Sequence, residues 1–398
     1  MTRRNDPGNQ SRLLVGADLL TGGQMLPSTA VLLQGGKVLA LGKAAERMGQ
    51  AHGAKRVDLS DHYLSPGFID LHTHGVAGVD FVTASREDFR RAMSYYLRRG
   101  VTSLLVSLYP SSFKESLRVL ERVSGYLRDR VGEGVAVGIH LEGPFLSPRW
   151  PGALPKRHFR TFRAADVNAL IDAGRGFVRT MTLAPEQPGG LALVEHLLKR
   201  RVIPAFGHSN ADYEETKRSL ERGIRYATHL FNAMRGIHHR APGAATALLE
   251  DSKIAVELIA DGLHIDIPVL KLVHALKPRE QVVLVSDSVH PCGLKPGRYE
   301  FAGGPVDVRN GKVTRPDGTL AGSILTLDRA VSLHVKRVGL SPQESVMLAT
   351  KNPARILGLE RSHGAIQKGG RADLVVLDRA LRVRATWLSG KQVYGSPV

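Results

Sequence analysis

The sequence predicts an α/β protein: a (β/α)8 TIM barrel with a second, small β-sandwich domain formed by the N- and C-terminal segments. Eight short apolar runs lie in the middle of the 398-residue chain, most of them separated by amphipathic helical stretches. Strand–helix alternation indicates a parallel sheet, and eight such units are typical of a closed barrel. β-rich segments at both ends predict the small domain. We therefore expect residues 1–62 and 359–398 to form the small domain and residues 63–358 the barrel.

Both terminal segments carry strand signals. Residues 29–42, "TAVLLQGGKVLALG", predict a hairpin in which two β-rich runs flank Gly35 and Gly36. Near the other end, "ADLVVLDRALRVRATWLSGKQVYG" predicts further short strands joined by turns. We expect the two ends to pair with each other in one β domain.

The middle of the chain follows a different pattern, in which strands alternate with helices. The predicted strands are 63–71, 101–107, 135–141, 177–183, 202–206, 224–228, 254–259 and 282–285. Amphipathic periodicity predicts helices at 86–99, 112–129, 189–200 and 211–222.

The composition is that of an ordinary globular enzyme, with 42% hydrophobic and 23% charged residues. Apolar runs fall short of the roughly 20 residues that span a bilayer. The N-terminus is basic but lacks the apolar region of a signal peptide. Cys292 is the single cysteine, which excludes an intrachain disulfide and fits a reducing compartment. These features predict a cytoplasmic protein without a membrane partner.

The net charge of +18 raises an alternative from another functional class, a protein that binds polyanions. However, Lys and Arg are spread along the chain, and the densest patches, "LLKRRV" and "PKRHFRTFR", lack interleaved aromatic residues. A solvated basic surface accounts for them, so we expect no specific nucleic-acid partner. Polyanion binding also leaves the polar residues at the strand ends unexplained.

Histidine and carboxylate side chains follow most of the predicted strands. The active site of such a barrel lies at the C-terminal ends of its strands. Mutual repulsion and the cost of desolvation disfavour a cluster of these side chains unless a cation holds it. The strand-end residues are His72, His74, Glu142, His208, His229, Asp261, His264 and Asp287.

These strand ends predict a metal centre. In "PGFIDLHTHG", His72 and His74 are two residues apart in a strand, so both imidazoles point to the same side. Imidazole and carboxylate ligands suit Zn²⁺, Fe²⁺, Co²⁺ or Mn²⁺. The set is large enough for two ions with one bridging carboxylate; its members are His72, His74, Glu142, His208, His229 and Asp287.

A hydrolytic reaction follows from such a centre. A pair of divalent ions lowers the pKa of a bound water from about 15.7 toward about 7, which favours hydrolysis of an amide, ester or related bond. Asp287 is then placed to take the proton of the water and return it to the leaving group. His140 shares the strand face of Glu142, and we expect it deeper in the barrel, in a supporting role.

Seven motifs, in order over nearly the whole chain, resemble the N-acetylglucosamine-6-phosphate deacetylases of the amidohydrolase superfamily. They are "PGFIDLHTHG", "HLEGPF", "GHSNA", "THLFNAM", "ADGLH", "LVSDS" and "DGTLAGS". The first marks only the superfamily, whereas "HLEGPF" with "HLFNAM" is specific to this branch. The resemblance implies that Glu142, His208 and His229 hold the principal metal, that His72 and His74 match members with a second ion, and that Asp287 is the catalytic acid and base.

The resemblance also implies contacts with a phosphorylated amino sugar. The expected substrate-binding residues are Ala153, Leu154, Asn232, Ala233, Arg240, Asp261, His264, Leu320, Ala321 and Gly322. In the family the arginine that matches Arg240 reaches across from a neighbouring subunit, which implies a homodimer.

One loop departs from the family pattern. The family has a histidine near the acetamide of the substrate, whereas "SPRWPGALPKRH" has Leu154 there. Either His158 takes over, or the metals alone polarise the carbonyl, or the acyl group or sugar differs.

The expected activity is the hydrolysis of N-acetyl-D-glucosamine 6-phosphate to D-glucosamine 6-phosphate and acetate, a step of amino-sugar catabolism. The alternative is an amidohydrolase for N-acetylgalactosamine 6-phosphate, an N-acyl amino acid, or a cyclic amide in the manner of a dihydroorotase. Arg240 and "FNAM" argue against the last two substrates, and Leu154 keeps the alternative open.

Overall fold

The computed structural model describes residues 11–396. Its strands, numbered along the described chain, are β1 (Arg12–Val15), β2 (Asp18–Thr21), β3 (Gln24–Leu26), β4 (Val31–Gln34), β5 (Lys37–Leu41), β6 (Lys55–Asp58), β7 (His62–Pro66), β8 (Phe68–Thr73), β9 (Gly75–Val76), β10 (Val79–Asp80), β11 (Val101–Leu108), β12 (Ala136–Glu142), β13 (Val178–Leu183), β14 (Ile203–Phe206), β15 (Tyr226–Ala227), β16 (Ala255–Ile259), β17 (Val282–Val285), β18 (Gly297–Phe301), β19 (Gly304–Arg309), β20 (Lys312–Thr314), β21 (Leu374–Asp378), β22 (Val383–Leu388) and β23 (Lys391–Tyr394).

The α-helices of the same residues are α1 (Gly42–Ala51), α2 (Arg86–Arg98), α3 (Phe113–Arg128), α4 (Ala164–Ala173), α5 (Gly190–Lys199), α6 (Tyr213–Glu221), α7 (Ala244–Glu250), α8 (Ile267–Leu276), α9 (Leu327–Leu333), α10 (Pro342–Leu348) and α11 (Lys351–Ile356). Short 3-10 turns occur at Lys156–His158 and Arg279–Gln281, and a π-helical turn at His334–Val338. Among the described residues, every helix is too short or too polar to cross a membrane.

The described chain divides into two compact units. The small unit contains the residues up to Ile69, Tyr96–Ser103 and the residues from Leu327 on; the barrel unit contains Asp70–Tyr95 and Leu104–Thr326. The domain bounds expected from the sequence, at residues 63 and 358, remain a prediction.

The terminal segments form two sheets, with strand orders β5-β4-β1-β6 and β23-β22-β21-β7-β2-β3. The predicted hairpin is confirmed as β4 and β5. The two ends join in one sheet, as expected, but through β7, which lies between β2 and β21 and was predicted as part of the barrel. One buried cluster draws Leu14 and Val31 from the first sheet and Leu64, Val376 and Trp387 from the second. The two sheets therefore share one core, as in the predicted sandwich.

The prediction of a single strand over residues 63–71 is wrong, because these residues form two strands in two different sheets. β7 belongs to the six-stranded sheet of the small unit, and β8 to the barrel. Pro66 and Gly67 separate them, and the chain passes so close to Thr102 that a Cβ on Gly67 would lie 1.9 Å from its Oγ1. Only glycine fits such a close approach.

The barrel is an eight-stranded sheet in the order β8-β11-β12-β13-β14-β15-β16-β17. The pairs from β11 to β17 are parallel. Just beyond the first and last strands, Thr73 and Ser288 form a parallel bridge, and Asp287 N donates to His72 O at 2.8 Å. The sheet thus closes on itself at the end where the strands finish, and the predicted (β/α)8 fold is confirmed.

The four predicted helices are confirmed as α2, α3, α5 and α6. The start of α6 follows from a capping box. The Asp212 side chain accepts from Glu215 N at 2.8 Å, and the Glu215 side chain accepts from Asp212 N at 3.0 Å. This cap fixes where the helix starts after the loop that carries His208.

A three-stranded antiparallel sheet, β18-β19-β20, follows the last barrel strand and was not expected from the sequence. It has its own apolar cluster, which includes Val289, Phe301, Val306 and Val313. The ring of Phe301 lies 5.9 Å from that of His74, so this sheet reaches the strand-end residues.

Candidate metal centre and active site

The six predicted metal ligands lie together at the C-terminal ends of the barrel strands, and all six are buried. They form two groups. In each group one ligand atom per residue lies within 4.8 Å of the other two, the first being His72, His74 and Asp287 and the second Glu142, His208 and His229.

Three of these residues have an unusual backbone. His208, His229 and Asp287 each lie two residues beyond the end of a strand, with φ of 47°, 25° and 45°. Residues other than glycine rarely occupy this left-handed region, and such strain is concentrated at functional sites. The turn aims each side chain at the centre of the barrel mouth.

Glu142 lies between the two groups. Its Oε1 atom is 3.1 Å from His208 Nε2 and 3.2 Å from His229 Nε2. Its Oε2 atom is 3.2 Å from His74 Nε2. One carboxylate therefore faces both groups, which is the arrangement a bridging ligand needs.

The donor set fits divalent metal. Nε2 of His208 lies 3.1 Å from Nε2 of His229, and Nε2 of His72 lies 3.2 Å from Nε2 of His74. Ring nitrogens that face each other with their lone pairs repel, and a cation between them removes that repulsion. Imidazole and carboxylate are ligands of borderline divalent ions such as Zn²⁺.

The electrostatics of the cluster favour positive charge within it. Burial alone would lower the pKa of His72, but the charges of Glu257, Asp287 and Glu142 outweigh it and raise that pKa well above its usual value. Burial alone would raise the pKa of Glu142, but the charge of His72 and the hydrogen bonds of the neighbouring histidines hold it well below its usual value. The Glu142 carboxylate is thus ionised and suited to bind a cation.

His140 uses both ring nitrogens inside the barrel. Its Nδ1 lies 2.9 Å from Ser107 Oγ and its Nε2 lies 2.8 Å from Thr182 Oγ1. The ring also packs edge-on against His72 at a centroid distance of 4.6 Å. These contacts agree with the expected supporting role of His140, whose ring packs against that of His72.

Glu257 is a buried residue of the site that no sequence motif predicts. Its Oε2 atom lies 3.0 Å from His72 Nδ1 and accepts from His229 N at 3.0 Å, and its Oε1 atom accepts from the Tyr226 hydroxyl. The available signal was a glutamate inside the apolar run 254–259. A charged residue in the middle of a buried strand needs partners.

A cavity of about 230 Å³ opens onto the predicted metal ligands. It is lined by His74, Glu142, His208, His229 and Asp287. The predicted substrate-binding residues that line it are Ala153, Leu154, Asn232, Ala233, His264, Leu320 and Gly322. Gly152, Ile259, Phe301 and Thr319 also line it and were not predicted.

Three predicted substrate-binding residues are not among the residues that line this cavity in the described chain. Ala321 is fully buried in the apolar cluster of Phe301. Asp261 lies behind His264 and takes a hydrogen bond from its Nδ1 at 2.8 Å, so it orients that ring. Arg240 is exposed on a loop, where its guanidinium lies 2.7 Å from His239 Nε2.

The loop that departs from the family pattern contacts His208, one of the predicted metal ligands. The carbonyl oxygen of Trp150 accepts from His208 Nδ1 at 3.0 Å, and a Cβ on Gly152 would lie 3.2 Å from the His208 ring. Leu154 lines the cavity, whereas His158 lies on the following 3-10 turn and is not among the lining residues of the described chain. The loop thus places an apolar side chain in the cavity.

Comparison with known proteins agrees with this geometry. Residues 63–393 match the Amidohydrolase family. The chain belongs to the amidohydrolase family. It is 35% identical over 389 residues to the N-acetylglucosamine-6-phosphate deacetylase of Bos taurus, with 94% of each chain covered. It is also 35% identical over 329 residues to the N-acetylgalactosamine-6-phosphate deacetylase of Escherichia coli O157:H7, covering 82% of this chain and 87% of the other.

A solved structure is equally similar. An N-acetyl-D-glucosamine-6-phosphate deacetylase variant from Mycobacterium smegmatis, in complex with N-acetyl-D-glucosamine-6-phosphate, is 34% identical with a TM-score of 0.90. The match covers 96% of this amidohydrolase and 99% of the other chain. The resemblance inferred from the motifs is therefore confirmed. The amidohydrolase superfamily is metal-dependent, and within residues 11–396 the two ligand groups could hold metal.

Proposed function

We propose that this amidohydrolase removes the N-acetyl group of a hexosamine 6-phosphate, with N-acetyl-D-glucosamine 6-phosphate as the leading substrate. One observation carries the proposal: Glu142, which contacts residues of both ligand groups, lines the same cavity as Asp287. Relatives at 33–35% identity over most of the chain are named as deacetylases of this sugar phosphate.

The proposal includes two divalent ions per chain, drawn from Zn²⁺, Fe²⁺, Co²⁺ and Mn²⁺. Glu142, His208 and His229 would hold the principal ion. His72, His74 and Asp287 would hold the second, with Glu142 between the two. Bound there, a divalent ion supplies Lewis-acid polarisation of the amide carbonyl.

Asp287 is the proposed general acid and base. It lines the cavity, and its Oδ1 atom lies 3.5 Å from Nε2 of both His72 and His74. The carboxylate takes a proton from the water that attacks the amide carbon. It then gives that proton to the amine nitrogen as the C–N bond breaks, so that acetate and the amino sugar leave.

The remaining cavity residues bind the sugar in this proposal. His264, oriented by Asp261, and the Asn232 amide offer polar contacts to the sugar hydroxyls. Ala153, Leu154, Ala233, Leu320 and Gly322 give the cavity its shape, and Ala321 supports the last two from the apolar cluster.

We further propose that the protein is a cytoplasmic homodimer in which Arg240 binds the phosphate in the neighbouring subunit. The exposed position of Arg240, outside the cavity of its own chain, supports this arrangement. A guanidinium suits phosphate because it donates two parallel hydrogen bonds.

N-acetylgalactosamine 6-phosphate is the second candidate, because the relative from Escherichia coli O157:H7 is named for that substrate. The two sugars differ only in the orientation of one hydroxyl. Leu154 gives the cavity an apolar wall where the family has a histidine. The sugar and the acyl group of the substrate are therefore the two features that experiment has to determine.

A substrate panel tests the proposal. Metal-loaded protein would be assayed for acetate release from both N-acetylhexosamine 6-phosphates and from their unphosphorylated forms, with an N-acetyl amino acid and dihydroorotate as further substrates. We expect release from the phosphorylated sugars, fastest from the glucosamine derivative. Turnover of only the amino acid or the cyclic amide would contradict the proposed function.

A further inference from the structure

Four histidines provide ring nitrogens to the ligand groups, and their outward Nδ1 atoms have different partners. Nδ1 of His208 donates to a backbone carbonyl, and Nδ1 of His72 lies 3.0 Å from Glu257 Oε2. Within residues 11–396, Nδ1 of His74 and Nδ1 of His229 have no hydrogen-bond partner. His72 is therefore the ligand whose ring is held by a carboxylate.

Glu257 also reaches the second group. The Oε2 atom that contacts His72 accepts from the backbone N–H of His229 at 3.0 Å. His229 is the residue with the φ of 25°, so this bond helps to hold a strained turn. One carboxylate oxygen thus contacts a ligand of each group.

The position of Glu257 is itself fixed. The side chain is 1% exposed in the middle of β16, and the Tyr226 hydroxyl of the adjacent β15 donates to its other oxygen. An ionised carboxylate buried in this way is costly unless all its oxygens are paired. The network of Tyr226, Glu257, His72 and His229 meets that requirement.

We propose that Glu257 is a positioning residue that sets the tautomer and orientation of His72 and couples the two metal-ligand groups. Because a carboxylate only accepts, Nδ1 of His72 donates. When a cation replaces the second proton of His72, the lone pair of Nε2 points to the cluster, where Nε2 lies 3.2 Å from His74 Nε2 and 3.5 Å from Asp287 Oδ1. This inference rests on the metal binding proposed above.

The chain contains a matched control for this network. On the surface, the Tyr213 hydroxyl donates to Glu250, so the same pair of side chains occurs without a metal ligand. Glu257→Gln removes the buried charge at constant size, and Glu250→Gln does the same at the surface. Tyr226→Phe and Tyr213→Phe form the second matched pair.

The experiment measures Zn²⁺ affinity by chelator competition, together with zinc content and thermal unfolding of the zinc-free protein. We expect Glu257→Gln to weaken Zn²⁺ binding by about 10–100-fold, the usual effect of losing a carboxylate behind a ligating histidine. Tyr226→Phe should weaken it by a smaller factor, and both surface variants should match wild type. In a His72→Asn background, Glu257→Gln should have a smaller further effect, which acts through its contact with His229 N.

Unchanged Zn²⁺ affinity in Glu257→Gln, with only the unfolding temperature lowered, would overturn the inference and leave a structural role. If Glu257→Gln does not fold, unchanged affinity in Tyr226→Phe overturns it instead. Wild-type protein that binds none of Zn²⁺, Fe²⁺, Co²⁺ and Mn²⁺ would contradict the proposed function itself, so the two failures are distinguishable.

Discussion

Glu142 Oε2 lies 3.2 Å from Nε2 of His74, although the two residues end different barrel strands. The other oxygen of the same carboxylate faces His208 and His229. Glu142 therefore contacts both ligand groups, although each group also has histidines of its own.

The His72→Asn, His74→Asn double variant should lose one ion and keep the other. Glu142, His208 and His229 stay intact in it and still provide a nitrogen and oxygen ligand set. The measurement is the number of ions per chain after remetallation. The exposed pair His238 and His239 provides the control, since its Asn variants should keep the wild-type metal content. Loss of both ions from the His72/His74 variant would contradict independent binding by the Glu142 group.

Asp287→Asn should keep the fold and much of the substrate affinity while losing turnover. The Asn side chain has the same size but neither takes nor returns a proton. The expected fall in kcat is on the order of 100-fold or more, the usual scale for general acid–base catalysis. Asp61→Asn, an exposed carboxylate of the small unit, is the matched control. Near-normal turnover in Asp287→Asn would exclude the proposed role.

Arg240→Ala should weaken use of the phosphorylated sugar and leave the poor activity on the unphosphorylated sugar nearly unchanged. Loss of one charge-assisted contact costs about 1.5–3 kcal/mol, read from kcat/KM for the two substrates. The exposed Arg56→Ala is the control for loss of one positive charge. An equal loss on both substrates would assign Arg240 a structural role.

The shared-site arrangement has its own test. Mixing Arg240→Ala chains with Asp287→Asn chains gives hybrid dimers in which one site regains both wild-type residues if Arg240 acts across the interface. We expect activity to reappear after subunit exchange. A mixture no more active than the separate variants contradicts the arrangement in trans.

The stability of the barrel unit should depend on pH through Lys277. This lysine is 3% exposed, and its Nζ donates to the carbonyls of Leu248 and Asp251 at the end of α7. Burial lowers the pKa of Lys277 to about 8. In the unfolded chain the pKa is about 10.4, so between these pH values the unfolded state binds the proton that the folded state has released.

The free energy of unfolding therefore rises with pH across this window. From pH 8 to pH 10, wild type should gain on the order of 2 kcal/mol over Lys277→Met, measured by urea unfolding at each pH. The exposed Lys253→Met variant should follow wild type. If the free energy of unfolding changes with pH in the same way in wild type and Lys277→Met, the pKa of Lys277 is not lowered.

The convergence of the predicted metal ligands could be inferred from the sequence, because barrel geometry places every strand end at one mouth and the His or carboxylate residues at those ends are visible one by one. Glu257 could not be predicted, because its partners Tyr226 and His72 lie 31 and 185 residues away and share no motif with it. The break at Gly67 was missed because apolar residues continue on both sides of it. The sequence also predicted the loop that carries Arg240. It did not predict that Arg240 lies outside the cavity of its own chain, because that position depends on tertiary packing.

The most direct test of the account is a metal titration of metal-free protein, with acetate release from N-acetyl-D-glucosamine 6-phosphate followed at each ratio of ions to chain. Shared use of Glu142 by both ligand groups predicts that activity depends on added metal and reaches its plateau at two ions per chain. Full acetate release from metal-free protein, or a plateau at one ion per chain, would contradict the two-ion centre.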